Sequence, residues 1–81
     1  MTTFTFRVEP LQAKQIGHLL HVDFNKVGLN EFMTGMNKEL EHYDTLRRLG
    51  IAQKDALKAA GMITLDHLNE DPLYYTHNPR I

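Results

Sequence analysis

Hydrophobic positions along the chain change period from one stretch to the next. Residues Phe4 to Val8 read Phe-Thr-Phe-Arg-Val, the alternation of a strand or an extended arm. Nothing else in the chain reads as a partner strand. The pattern therefore predicts an extended arm over residues 1–8 lying on helices, with Phe4, Phe6 and Val8 on one side. Pro10 suits the first turn of a helix, where its missing N–H costs nothing. Ala13, Ile16, Gly17 and Leu20 then recur at i, i+3, i+4 and i+7, which predicts a helix over about 10–20. The stretch His21 to Leu29 contains Asp23, Asn25 and Gly28 and reads as a connector, with Asp23 or Asn25 capping a short turn.

The second helix has the clearest pattern. Leu29, Phe32, Met33, Met36, Leu40 and Tyr43 trace an apolar stripe, and Asn30 stands where an N-cap belongs, with Glu31 in the first turn. A helix over about 30–43 follows. Gly50 marks a break. A third helical stretch runs from Gln53 to Asn69, with Ala56, Leu57, Ala60, Ile63, Leu65 and Leu68 apolar. Gly61 in its middle costs about 1 kcal/mol relative to Ala, so it is a packing site or the joint between two shorter helices. Asp71-Pro72 ends the stretch, because the residue before a proline is pushed out of the α region. Leu73, Tyr74 and Tyr75 form an aromatic patch, and residues 77–81 read as a loose tail.

The predicted fold class is all-α: one small domain over 1–81, built from three to four helices with an extended N-terminal arm. At 81 residues a chain buries only about 60% of its unfolded surface, so its core is small. Nine Lys and Arg against ten Asp and Glu give a net charge of −1. That balance argues against a protein built mainly to hold nucleic acid or an anionic membrane. Cysteine and serine are both absent, which removes thiol chemistry and makes nucleophilic catalysis improbable. No HExxH, GxSxG or Gly-rich phosphate loop occurs. No apolar run approaches the roughly 20 residues that span a bilayer. The start MTTFTFRVEP lacks a basic, then apolar, export signal. A cytoplasmic protein is therefore expected.

Three groups carry possible chemistry. In Glu39-Leu40-Glu41-His42, Glu39 and His42 are three apart on one helix face, the Glu-x-x-His spacing of helical-bundle metal sites. The competing reading, a solvated helix end with His42 on the last carbonyls, outweighs it on spacing alone. In His67-Leu68-Asn69-Glu70 a His and a carboxylate again lie three apart. The structural alternative is a half-buried His67 donating to Glu70 or to a backbone carbonyl. His67 lies fourteen residues beyond Gln53, about 20 Å along a straight helix. If that helix runs antiparallel to the second, a site shared by His42 and His67 requires a break, with Gly61 the natural joint, or a wide loop that brings Met62 to Glu70 back. The third group is the aromatics Phe4, Phe6, Tyr74 and Tyr75, which suit either a partner surface or the lid of a small core. Arg47, Arg48, Lys54 and Lys58 form the sole basic cluster, suited to a small phosphate or an acidic partner, though such a run is more often a wet helix face; a nucleic-acid reading would rest on these four residues alone.

Taken together, Ala13-Lys14-Gln15-Ile16-Gly17, Val22-Asp23-Phe24, Phe32 to Gly35, Glu39 to His42, His67 to Glu70 and Pro72 to Thr76 resemble one family. It is an uncharacterised family of small phage and bacterial proteins with an ELEHG block and a closing AHLxExPxYY block. The resemblance covers most of the chain apart from the arm and residues 44–61. It implies that Glu41, His42, His67, Glu70 and the two tyrosines belong in one place, and it favours a broken third helix. Tyr43 and Asp66 depart from the family's Gly and Ala. The expected function is a small non-enzymatic interaction protein of phage origin, with a host or virion protein as partner through Phe4, Phe6, Tyr74 and Tyr75. It needs no cofactor, homo-oligomers are compatible with it, and nucleic acid and membrane are not expected partners. The alternative is a divalent-metal domain using His42, His67, Glu39, Glu41 and Glu70, whose imidazole and carboxylate donors suit Zn, Mn, Fe or Ni and whose open position could support hydrolysis.

Overall fold

A computed structural model of the protein describes residues 7–79. Five α-helices occur in it: α1 (Pro10–Leu19), α2 (Leu29–Glu39), α3 (Tyr43–Arg48), α4 (Gln53–Glu70) and α5 (Tyr74–His77), with a 3₁₀ turn at Leu40–His42 between α2 and α3. No strand occurs among the described residues. The all-α class predicted from the periodicities is the one observed. Phe4 and Phe6 lie outside the described residues.

Each helix boundary has a local cause. Pro10 opens α1 at its first turn. The chain leaves α1 through a turn in which Val22 N–H reaches Gly17 C=O and His21 N–H reaches His18 C=O. These are the two bonds of a Schellman stop, and they hold His21 at φ 61°, the left-handed conformation that glycine usually supplies. Asp23 then caps the connector as expected: its Oδ1 accepts the Asn25 N–H at 2.9 Å. The N-cap of α2 is Gly28 and not Asn30, because Val27 and Leu29 both pack on the core and draw the helix start back toward them. The expected run to residue 43 is interrupted after Glu39, where the 3₁₀ turn buries Leu40 and leaves Glu41 and His42 exposed. A second Schellman stop ends α3. Ile51 N–H bonds Leu46 C=O and Gly50 N–H bonds Arg47 C=O, with Gly50 at φ 83°.

Helix α4 is one unbroken helix, which overturns the expected break at Gly61. That glycine is a packing site instead: a Cβ there would lie 2.6 Å from Leu20 Cδ1 and 3.2 Å from Ile16 Cγ2. Its missing side chain lets α1 lie close against α4. The buried stripe of α4 is Ala56, Ala60, Gly61, Thr64 and Leu68. Ile63, expected on that stripe, is 42% exposed. Thr64 takes the inward position by donating its hydroxyl to Ala60 C=O at 2.7 Å, so no polar group is stranded.

Helix α2 is the centre of the molecule, packing against α1, α4 and α5. Phe32 and Met36 are its fully buried residues, and Phe24 meets Phe32 edge to face at 5.8 Å. Full burial of side chains of this size stabilises by about 1.5–3 kcal/mol each. Val8, the end of the expected arm, docks on another face of α2. Val8 is buried, its N–H donates to Asn37 Oδ1 at 2.7 Å, and Asn37 Nδ2 donates to Val8 C=O at 3.1 Å. One amide side chain thus satisfies both backbone groups that a neighbouring strand would otherwise pair.

Candidate functional site

The C-terminal block folds back onto α2 and the last turns of α4. Its first anchor is Asp71, whose Oδ1 accepts the Leu73 N–H at 3.0 Å while its Oδ2 lies 2.7 Å from His77 Nδ1. The His77 hydrogen bond, helped by the Leu73 N–H, holds the Asp71 carboxyl below its ordinary value of 3.8. Asn78 Nδ2 donates to Tyr74 C=O, and Lys38 Nζ donates to Pro79 C=O at 2.8 Å. Residues 77–79 are therefore held in place, and the expected loose tail is corrected to that extent.

The second anchor is Glu31. Its Oε2 accepts the N–H groups of Tyr75 and Thr76 at 2.7 and 2.9 Å, and its Oε1 accepts the Thr76 hydroxyl at 2.6 Å. A carboxylate from α2 so caps the four-residue helix α5, where a negative charge meets unpaired amide groups. Charge-assisted bonds of this kind are the stronger class.

Between these anchors Tyr75 is driven into the core, 2% exposed. Its ring occupies the space beside Gly35, where any Cβ would collide with the ring and stand 2.6 Å from Thr64 Cγ2. Its hydroxyl donates to Glu39 Oε2 at 2.8 Å. Burial, reinforced by the Glu39 carboxylate, pushes the Tyr75 phenol above its ordinary value of 10.0. His67 Nε2 lies 3.9 Å from the same Glu39 oxygen, too far for a hydrogen bond but close enough for an ion pair when the ring is protonated. The His67 ring stacks on Tyr74 at 4.2 Å and 11°, and Tyr74 meets Tyr75 edge to face at 5.1 Å. The outcome is a cluster of Glu39, His67, Tyr74 and Tyr75, of which His67 and Tyr74 reach the surface.

Of the sequence-derived site residues, the geometry brings Glu39 and His67 together. His67 finds Glu39 on the neighbouring helix, where Glu70 on its own helix was the expected partner. Glu70 is exposed at the end of α4, and His42 is exposed on the 3₁₀ turn. Glu41 lines a shallow groove of about 250 Å³ on another face of α2, with Arg7, Met33, Thr34, Asn37 and Lys38. His67 reaches Glu39, one turn before His42, from an unbroken α4 that also packs against the 3₁₀ turn, so the two blocks approach without a bend at Gly61. Among the described residues no three His, Asp or Glu side chains are placed to hold a metal together. Tyr75 is a core residue, so of the two described aromatics expected at a partner surface only Tyr74 is accessible. From the sequence Glu31 reads only as a first-turn carboxylate of α2; its spacing with Gly35 and Glu39 at i, i+4 and i+8 puts the three along one side of the helix without showing what that side meets.

The comparison with protein families places the chain. A family of proteins of unknown function, DUF5661, matches residues 13–80, and the chain belongs to it. Nothing matches among curated proteins or among solved structures.

Proposed function

We propose that the chain is a non-enzymatic interaction protein that binds a protein partner. The observation that carries this reading is how the chain spends its large aliphatic side chains. Leu11, Leu19, Leu49, Met62 and Leu73 are each half or more exposed, while Ala13, Ala56 and Ala60 fill buried helix contacts. A single exposed leucine is ordinary. Five large apolar side chains outside a core this small are surface that a partner can cover. A phage origin and a host or virion protein as the partner belong to the same proposal on the family resemblance alone, and a cytoplasmic location belongs to it on the sequence pattern of the first residues. No helix among the described residues is long and apolar enough to cross a membrane.

The test is purification of the tagged chain from the cells that make it, after cross-linking, beside Leu19→Ser and Met62→Ser variants whose melting matches wild type. The reading expects a stoichiometric protein partner that one or both variants lose. Recovery of the chain alone would sink it. A divalent-metal domain is the second reading, and the approach of Glu39 to His67 favours it, since those two side chains would be its first ligands. Metal-stripped protein melted with Zn, Mn, Fe(II) or Ni should then gain stability that His67→Ala abolishes; no shift with any metal would exclude it.

A further inference from the structure

The corner where α3 turns into α4 combines exposed apolar and basic side chains, and we propose that it is a docking surface for an acidic protein segment carrying apolar side chains. This inference rests on the reading of the chain as an interaction protein and names the chemistry of its partner. The Schellman stop at Gly50 puts Leu49 and Ile51 on either side of the bend, 74% and 36% exposed. Arg48 closes α3 just before them, and Lys54 and Lys58 follow one turn apart on α4, all three exposed. Arg47 adds a fourth positive charge to the corner.

Charge bookkeeping isolates this corner from the rest of the molecule. Residues 46–58 carry four cations and one acid, Asp55, for a net +3. The remaining residues carry five Lys and Arg and nine Asp and Glu, for a net −4, and the two sum to the chain's −1. On α4, Lys54 stands beside Asp55 in the first turn and Lys58 follows one turn later, behind an Ala52 that offers no side-chain cap.

The surroundings choose among anionic partners. Residues 46–58 contain no aromatic side chain, so the corner lacks the stacking platform of a single-strand nucleic-acid site. A long polyanion or an anionic bilayer would also face the −4 of the remaining chain. A short acidic segment feels only the charges within a Debye length, about 8 Å at physiological salt. Leu49 and Ile51 supply the apolar contact that a purely electrostatic encounter lacks.

The experiment is fluorescence anisotropy of a labelled peptide of interspersed Glu and Leu, with the Gln/Leu counterpart as control. Wild type should bind the acidic peptide saturably and in preference to the control. Lys54→Glu/Lys58→Glu should weaken it by at least about tenfold, because attraction becomes repulsion. Leu49→Ser/Ile51→Ser should weaken it as well. The charge-reversed variant should melt no lower than wild type, since its new acids suit the start of α4, which separates lost binding from lost folding. Absence of saturable binding, equal binding of the control peptide, or indifference to both variants overturns the proposal. So does tighter binding of single-stranded DNA or of phosphatidylserine vesicles, which assigns the corner to those ligands. If a cross-linked protein partner is captured but Lys54→Glu/Lys58→Glu leaves its capture intact, the corner fails while the interaction reading stands.

Discussion

His21 holds a positive φ because the chain must turn sharply out of α1 to bring Val22 and Phe24 onto the core. A non-glycine residue in that conformation costs about 1–2 kcal/mol. Replacing it with glycine returns part of that through added unfolded-state entropy, so His21→Gly should stabilise by about 1 kcal/mol. For a domain of this size that is a rise of about 4–8 °C in Tm, and an unchanged or lower melt would show that the His21 side chain holds the turn in another way. Two glycines make the opposite pair of cases. At Gly35 a new methyl meets the buried Tyr75 ring and Thr64, neither of which can move, and overpacking of this kind costs about 1–3 kcal/mol. At Gly61 the closest atom is the far end of Leu20, a partly buried side chain that can swing away. The buried Ile16 at 3.2 Å need give only by a few tenths of an ångström, while the gain in helix propensity is about 1 kcal/mol. Gly35→Ala should therefore lower Tm clearly, and Gly61→Ala should leave it near wild type or raise it. A melt that ranks them the other way would contradict the packing described for α2.

Among the elements, α2 fixes everything else by presenting separate faces to separate segments. Asn37 holds Val8, Glu31 and Glu39 hold the C-terminal block, and Phe32 and Met36 fill the core. Helix α5, four residues long, is far below the length at which a helix is stable alone, so its existence depends on Glu31. Glu31→Ala removes three bonds to a charged acceptor, a class worth about 1.5–3 kcal/mol each when lost. The loss should appear first as local opening. Amide exchange at Tyr75 and Thr76 should quicken strongly while α2 and α4 amides keep their protection, and uniform protection across all helices would refute the capping role. The same elements show what the amino-acid pattern could reveal. The 3.6-residue period located α1, α2 and α4 because their buried faces are ordinary apolar stripes. Proline and glycine punctuation located the turns at Gly50 and Asp71. The capping of α5 by Glu31 and the pairing of Asn37 with Val8 are contacts 44 and 29 residues apart, and a single sequence holds no local trace of such pairs. The break expected at Gly61 failed because a glycine inside a helix reads identically whether it bends the chain or admits a neighbour. His67 was recognised, but its carboxylate partner comes from across the helix packing, which the spacing within its own block could not show.

At the scale of the whole molecule, proton linkage ties the C-terminal block to folding. The Asp71 carboxyl is held below 3.8 by His77 and the Leu73 N–H. Its contribution is therefore present above that pH and is lost as pH falls through it; with Asp71 on the surface, salt should weaken this part. Tyr75 acts at the other end of the range. Its phenol is raised above 10.0 by burial and by Glu39, so between the unfolded and folded values the folded chain keeps a proton that the unfolded chain has released. Stability then falls with rising pH: the contribution is complete below pH 10 and is lost as pH climbs above it. The mechanism is direct, because a phenolate beside the Glu39 carboxylate in a site 2% exposed would place two negative charges together without water. Denaturant unfolding at a series of pH values measures this on wild type and on Tyr75→Phe. The variant should be less stable at neutral pH, because Glu39 loses its hydroxyl donor, and it should lack the Tyr75 share of the alkaline decline. The two curves should therefore converge above pH 10. Parallel curves would mean that ionisation of Tyr75 is not what opens the block in alkali, and that the contact between its hydroxyl and Glu39 contributes less to folding than its geometry indicates.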